Sequence, residues 1–511
     1  MKLAAIDIGT NSIHMLLVEV QNRGFEIVDR EKTMVKLGQG VFRSGRLSER
    51  AFTEGVNVVR RYCKLAESLG VTDIIAVATS AVREAQNGGD FLRAIHECTG
   101  VDPRVISGAV EARLIFLAVR HAIDIGEQRV LIFDIGGGSV EAVVADKTRL
   151  LLTESLRLGV QRLLDRHGGS EPLSGKEQVE LRDYIRGDAA DFFTKAKEFG
   201  YSKVIGTSGT VRTLCEATHL TAGGAAWNST NAQVARRRDI KELAKRLADM
   251  TEAERAGVPG IARQRADAIH FGAVLLSHLM ELAEAEEITV CEASLRDGLI
   301  LDYLDPHGSN GTHKPVFEPR RRSVLELMYR YDREDPHERH VADLALQLFD
   351  QSKTLHQLGE PERELLEYAA LLHGVGQHVN FRGRHKHGAY IVRHSPLRGF
   401  TDQEIEELSL VVKFHRRLAP DSGNTDLARL PKPRARVIRL LSSILRVAVA
   451  LDRGDTQVVK AVRLRESNGK LELLIAGDRD LELELWAARR KLKPLSRALR
   501  AGIAVRRDDS Q

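Results

Sequence analysis

Hydrophobic positions over the first 300 or so residues fall into two alternating arrangements. Short apolar runs bounded by glycine, serine or asparagine predict strands, and apolar residues three and four apart predict helices. Strands are predicted at residues 3–8 and 13–20. A helix follows, carrying Phe52, Val56, Val59, Cys63 and Ala66 on one face, and Gly70 supplies its C-terminal stop. Then come a strand at 74–78, a helix ending near Thr99-Gly100, a strand around Val105-Ile106, and a helix that begins after Ser107-Gly108. Near residue 125 the alternation restarts, with strands at 203–205 and 287–290 among its elements. Strand and helix in alternation predict a layered α/β architecture.

Beyond residue 305 the pattern changes. Residues 306–319, with glycine, serine, asparagine and proline, read as a linker, and residues 323–453 read as helical. Residues 462–475 are apolar and interrupted by Asn468-Gly469, a hairpin signal. A helical stretch follows, which makes this end a small α+β module. Two α/β domains (1–124 and 125–305), a helical domain (320–455) and the terminal module (456–511) are therefore expected.

Two segments of the α/β half are alike. Asp7-Ile8-Gly9-Thr10-Asn11-Ser12 and Asp134-Ile135-Gly136-Gly137-Gly138-Ser139 each follow an apolar strand and lead into a second one. Glycine allows a sharp turn and a close approach to a ligand. Turn amides and hydroxyls can then hold phosphate oxygens, and an aspartate at the strand end can hold a hard cation. Neither segment is a Walker loop, since no Gly-Lys-Ser/Thr follows. Neither is a dinucleotide fingerprint, since a strand and not a helix comes next. A third hydroxyl-rich turn, Gly206-Thr207-Ser208-Gly209-Thr210, follows the strand at 203–205. The repetition predicts two related halves closing on one phosphate and metal site.

Composition narrows the setting. Of 511 residues, 43% are hydrophobic and 29% charged, ordinary values for a globular chain. Cys63, Cys98, Cys215 and Cys291 lie far apart without a Cys-x-x-Cys pair. A disulfide framework or zinc site is not expected, and a reducing cytoplasm is. The chain enters a strand at once, so no signal peptide is expected. No apolar run approaches the roughly 20 residues of a membrane span. The net charge of +5 is unevenly spread. Arg382, Arg384, His385, Lys386, His387, Arg393, His394 and Arg398 crowd one segment, and Lys413, His415, Arg416 and Arg417 follow. Such a patch is a solvated face or a grip for a polyanion. Phe381, Tyr390 and Phe400 are few for stacking bases, so specific nucleic-acid binding is not expected.

The paired loops resemble the phosphate-1 and phosphate-2 loops of the actin-like, Hsp70-like and sugar-kinase superfamily. More narrowly, the chain resembles the exopolyphosphatase / guanosine pentaphosphate phosphohydrolase family. The supporting segments are residues 7–12, 78–87, 106–114, 134–141, 206–210 and 294–298, in the family's order. The resemblance implies two actin-like (ribonuclease H-like) domains, with phosphate held by Gly9, Thr10, Asn11, Ser12, Arg83, Asn87, Gly136, Gly137, Gly138, Ser139, Gly206, Thr207, Ser208 and Gly209. It implies a divalent cation, Mg2+ or another, held by Asp7, Asp134 and Glu141. Glu111 sits in the first turns of a helix, where the helix dipole favours a carboxylate whether or not it reacts. It matches the catalytic glutamate of the family's Ser-Gly-x-x-Glu-Ala-Arg segment, with Val110 where glutamate is often found.

In the helical region, the order His340, His373-Gly374, Asp452 resembles the layout of HD phosphohydrolases, with Gly374 in place of the central aspartate. An HD-like domain without catalysis is implied. Arg382, Arg384, Lys386, Arg393 and Arg416 become candidates to grip the distal part of a polyanion. The activity implied is release of terminal orthophosphate from inorganic polyphosphate, or from guanosine pentaphosphate, by a homodimer. Guanosine tetraphosphate is a further ligand to consider. Readings of another class are an actin-like ATPase or kinase, or a non-catalytic polyanion sensor.

Overall fold

A computed structural model describes residues 1–21, 24–168, 171–308, 319–332, 336–416, 425–467 and 470–508. These residues divide into two units, Met1–Pro319 and Arg320–Gln511.

The first unit holds two sheets built on one plan. Strands β1 (Lys2–Ile8), β2 (Ser12–Gln21), β3 (Gly24–Met34), β4 (Asp73–Ala78) and β5 (Arg104–Val105) take the order β3-β2-β1-β4-β5. Strands β6 (Val130–Ile135), β7 (Val140–Ala145), β8 (Leu150–Leu156), β9 (Lys203–Thr207), β10 (Val234–Arg236) and β11 (Glu287–Val290) take the order β10-β11-β9-β6-β7-β8. In each, a three-strand antiparallel meander is extended by two parallel strands, and β10 adds an antiparallel edge to the second. This repeated order bears out the expected pair of actin-like domains.

Burial follows from the strand sequences. All six positions of β7 are buried, as befits a strand covered on both faces. Helix Glu49–Ser68 and helix Gly88–Thr99 pack their apolar residues against one face of the first sheet. Helix Gly108–Ala122 shares a core with residues of both sheets, including Leu3, Ala5, Ile132 and Val143, and with helix Leu295–Gly308. Gly298 permits that last contact, because a Cβ there would lie 2.1 Å from the Leu114 carbonyl oxygen. Ser107 caps helix Gly108–Ala122, its side chain accepting from the Val110 amide. Gly100 ends helix Gly88–Thr99 in the left-handed conformation, with φ of 72°.

Some boundaries differ from the sequence reading. Helix Leu295–Gly308 runs through Pro306, so the expected linker begins as helix, and residues 309–318 lie outside the described residues. Arg83 stands on a short helix, Ser80–Glu84, that the sequence reading did not include. Thr207 ends β9, and Ser208 already opens helix Ser208–Thr221, so the third glycine turn is a helix start.

In the second unit, helices Pro336–Gln351, Glu360–Leu372, Arg384–His394, Asp402–Phe414 and Lys432–Leu451 precede a three-stranded sheet. Its strands are β12 (Val459–Ser467), β13 (Lys470–Gly477) and β14 (Ile503–Arg507), in the order β12-β13-β14. β12 and β13 form the expected hairpin, whose Asn468-Gly469 turn lies outside the described residues. One core extends from Val324 on the helices to Val505 on β14. Among the described residues, no helix is long and apolar enough to cross a membrane.

Candidate active site

The two Asp-Ile-Gly segments form the same turn. The Gly9 amide donates to the Ser12 carbonyl at 3.2 Å, and the Gly136 amide to the Ser139 carbonyl at 3.0 Å. Strand register places Asp7 opposite His14 and Asp134 opposite Glu141, so each aspartate is one residue inside the turn. The loops touch. A Cβ on Gly137 would come within 2.8 Å of the Thr10 Cβ, and one on Gly138 within 2.4 Å of the Ser80 hydroxyl. Arg162 braces the second loop, donating to the Gly138 carbonyl at 2.7 Å and to Glu84 at 2.5 Å.

A cavity of about 380 Å³ opens on these loops. Asp7, Gly9, Thr10, Asn11, Ser12, Glu111, Asp134, Gly136, Gly137, Gly138, Ser139, Ser208 and Gly209 line it, all anticipated from sequence. Ser208 has a φ of 97°, a strained value for a non-glycine residue. Its hydroxyl accepts from the Thr210 and Val211 amides.

Five anticipated residues do not line the cavity. Gly206 faces the core, where a Cβ would meet Ile288 and Val211. The Thr207 hydroxyl is buried and donates to the Ala293 carbonyl. The Asn87 side chain is spent on both backbone groups of Leu47, at 2.9 and 3.0 Å. Arg83 stands behind Glu111, donating to its Oε2 at 3.2 Å and to the Ile106 carbonyl at 2.7 Å. Glu141 is buried beside Asp134, one oxygen accepting from the Ser155 hydroxyl at 2.8 Å.

Sequence reasoning missed the cationic wall. Arg30, Lys32, Arg212, Arg265 and Arg296 also line the cavity. They come from β3, the helix at 208–221, the turn at 263–265 and the helix at 295–308, so no local motif unites them. Arg296 had a signal, because it lies in the quoted segment 294–298. Its guanidinium meets His14 Nδ1 at 3.0 Å and the Ser294 hydroxyl. Burial, then the neighbouring arginines, pull the Lys32 ammonium down to about 8.

Acid groups behave oppositely. Burial raises Asp7 to about 6 against the pull of Arg296. Burial, then Glu141 and Asp7, raise Asp134 to about 8. Burial and Glu141 push Glu111 well above the carboxylate range, while Arg83 opposes them. Crowded carboxylates of this kind resist sharing negative charge without a cation. Asp7 Oδ1, Asn11 Oδ1 and Glu141 Oε2 are buried without a hydrogen-bond partner. These unsatisfied oxygens are the donor chemistry a hard divalent cation takes.

In the second unit, His337 and not His340 joins Asp452, with Nδ1 at 2.7 Å from Oδ2, and its ring lies 5.3 Å from that of His373. His337, Asp452 and Asp455 form a potential cation cluster, the one found among the described residues. The basic segment is less bare than its sequence implies. Arg393 pairs with Glu406 at 2.9 Å, Arg398 with Glu326 at 2.9 Å and Lys413 with Asp426 at 2.6 Å. Arg382 and Lys386 are exposed, Arg384 is buried and bonded to Gln377, and Arg416 stacks on Phe381. Arg417 lies outside the described residues.

Residues 16–307 match the Ppx/GppA phosphatase family, and residues 320–504 match Ppx/GppA phosphatase, domain III. An exopolyphosphatase from Cytophaga hutchinsonii is similar at 29% identity and a TM-score of 0.57, over 60% of this chain and 98% of that one. The Aquifex aeolicus member of the Ppx/GppA family is similar at 25% identity and a TM-score of 0.52, over 61% of this chain and 99% of that one.

Proposed function

This chain belongs to the Ppx/GppA phosphatase family, and from that premise we propose that it is an exopolyphosphatase, releasing terminal orthophosphate from inorganic polyphosphate by attack of water. The observation that carries this reading is one cavity lined by both loops, by buried Glu111 and by five cationic side chains.

The loop amides and the Thr10, Ser12 and Ser139 hydroxyls hold the terminal phosphate. Arg83 occupies Glu111 Oε2 and thereby orients the carboxylate, leaving Oε1 to accept a proton from the attacking water. Burial, ahead of Glu141, raises the proton affinity of that carboxylate, which strengthens it as a base. Asp7 and Asp134, with Glu141 as their buried neighbour, would hold a divalent cation, magnesium being favoured by an all-oxygen donor set. When bound, it offsets phosphate charge, as the loop amides also do. Arg30, Lys32, Arg212, Arg265 and Arg296 receive the following phosphates, each guanidinium gripping two oxygens.

Polyphosphate is favoured over guanosine pentaphosphate because the described lining residues include no Phe, Tyr or Trp to stack a guanine. We further read residues 320–455 as an HD-like domain made non-catalytic by Gly374. Exposed Arg382 and Lys386 are proposed to grip the distal chain, in a cytoplasmic homodimer with the four-part division expected from sequence. The test is phosphate release from long polyphosphate, guanosine pentaphosphate and ATP in parallel, with and without magnesium. Polyphosphate should be the best substrate, and only with metal. Preference for guanosine pentaphosphate transfers the reading to that substrate, and ATP turnover alone favours an actin-like ATPase. Binding without release makes the protein a sensor.

A further inference from the structure

A second cavity lies wholly within the C-terminal unit. It measures about 220 Å³ and is lined by Arg384, Arg416, Arg446, Arg453, Arg490 and Lys491, together with His415, Trp486 and an apolar floor of Val449, Ala450 and Ala487. No described lining residue is acidic. The six cations are spread over a stretch of more than a hundred residues, from 384 to 491, and are brought together by tertiary packing. They crowd one another. Lys491 is held below its ordinary range by burial and then by Arg446, Arg490, Arg416 and Arg453. His415 is almost fully buried, with Nδ1 donating to the Val412 carbonyl and Nε2 lacking a hydrogen-bond partner.

We propose that this cavity is an anion site distinct from the loop-lined cleft, taking a compact multivalent phosphate such as a triphosphate chain. Like charges converging on a concave surface repel one another, and a polyvalent anion removes that repulsion. Guanidinium forks match phosphate oxygens two at a time, and five of the six cations are arginines. The volume lies below that of pockets that enclose drug-sized ligands, roughly 300–1,000 Å³, so the enclosed part of the ligand is the phosphate chain and not a base. Two sources carry that chemistry, inorganic oligophosphate and the tail of a nucleotide. Trp486 separates them. It is half-exposed at the cavity wall, with Arg490 4.9 Å from its ring centroid, and a nucleotide's base could stack on it. None of this depends on which phosphate compound the cleft hydrolyses.

The chain has two tryptophans, Trp227 and Trp486. A Trp227→Phe, Glu111→Gln chain reports on Trp486 alone and is designed to leave the probe intact. Titration with inorganic tripolyphosphate should change Trp486 emission saturably, and sodium chloride at matched ionic strength should not. Arg453→Gln with Lys491→Gln should weaken the response at least tenfold while leaving phosphate release by the Glu111 form unchanged. Arg446→Gln, read beside its circular dichroism spectrum, is the second variant. Tighter binding of a nucleoside triphosphate than of tripolyphosphate, erased by Trp486→Leu in calorimetry, would identify a nucleotide as the source. Equal binding would identify inorganic oligophosphate. An emission change that chloride reproduces, or one that survives both sets of arginine changes, would overturn the site.

Discussion

Glu111 combines three conditions that are individually common. It is buried, it lies in the first turn of a helix, and one of its oxygens is held by Arg83. Arg83 and the helix start fix the carboxylate in position, while burial outweighs their pull and raises its proton affinity. On the proposed mechanism, Glu111→Gln keeps the shape and removes the base, so phosphate release should fall by about two to four orders of magnitude while binding of polyphosphate, measured by calorimetry, stays near that of the parent. Arg83→Lys should cost turnover more than binding, because the shorter lysine side chain does not carry a nitrogen to the place where Arg83 Nη1 meets both Glu111 Oε2 and the Ile106 carbonyl. A kcat and KM measurement separates the two. Were KM alone to change, Arg83 would contact substrate directly. The segment resemblance made Glu111 legible. Its pairing with Arg83 was not, since nothing in the spacing of 83 and 111 states that the end of helix Ser80–Glu84 meets the start of helix Gly108–Ala122.

At the scale of elements, the strand-turn-strand unit explains why one short motif recurs with the same hydrogen bond. An apolar strand ends in aspartate, glycine turns the chain, and the amide of that glycine closes on the carbonyl three residues later. Gly137 has a further duty, since its missing Cβ leaves room for Thr10 on the other loop. Gly137→Ala should therefore push the loops apart. Activity should drop by tenfold or more with only a small fall in the urea midpoint, because the strain falls on the loops and not on the core. An equal loss of stability and activity would mean that the contact is structural alone. The third glycine turn illustrates the limit of motif reading. Gly206 and Thr207 look like Ser208 and Gly209 in sequence, yet both belong to β9 and are buried on its opposite faces.

For the whole molecule, separation into two units makes a division of labour testable. Every residue lining the loop cleft precedes Leu299, and the exposed Arg382 and Lys386 follow Arg320. A chain ending after Gly308 should, once its folding has been checked by circular dichroism, still release phosphate from short oligophosphates. Its affinity for long polyphosphate should fall further than its affinity for short chains, because many weak contacts act on one tethered ligand. Equal loss on both would assign the basic face to solvent. The second unit should also carry a pH signature. Burial, and then His337, lower His373 to about 3, and His415 lies well below its ordinary range. A depressed folded value leaves stability intact above the unfolded value of about 6.5 and removes it as pH falls toward the folded value. Urea midpoints should therefore decline from pH 7 to pH 4, and His373→Gln should flatten that slope.

By itself, the sequence determined the layered α/β plan, the two loops, Glu111 and the change to helices beyond residue 320. Each of these is encoded locally, in apolar periodicity, turn chemistry or a contiguous segment. Only the tertiary structure decided which cations face the cleft, because Arg30, Arg212, Arg265 and Arg296 belong to separate elements with no shared spacing. It likewise placed His337 and not His340 beside Asp452, a choice set by which side of helix Pro336–Gln351 faces the core. It also neutralised part of the basic segment, since the partners Glu326 and Glu406 come from other helices. Charge density along a chain is a one-dimensional quantity, whereas burial and pairing are set by neighbours that only folding brings within reach.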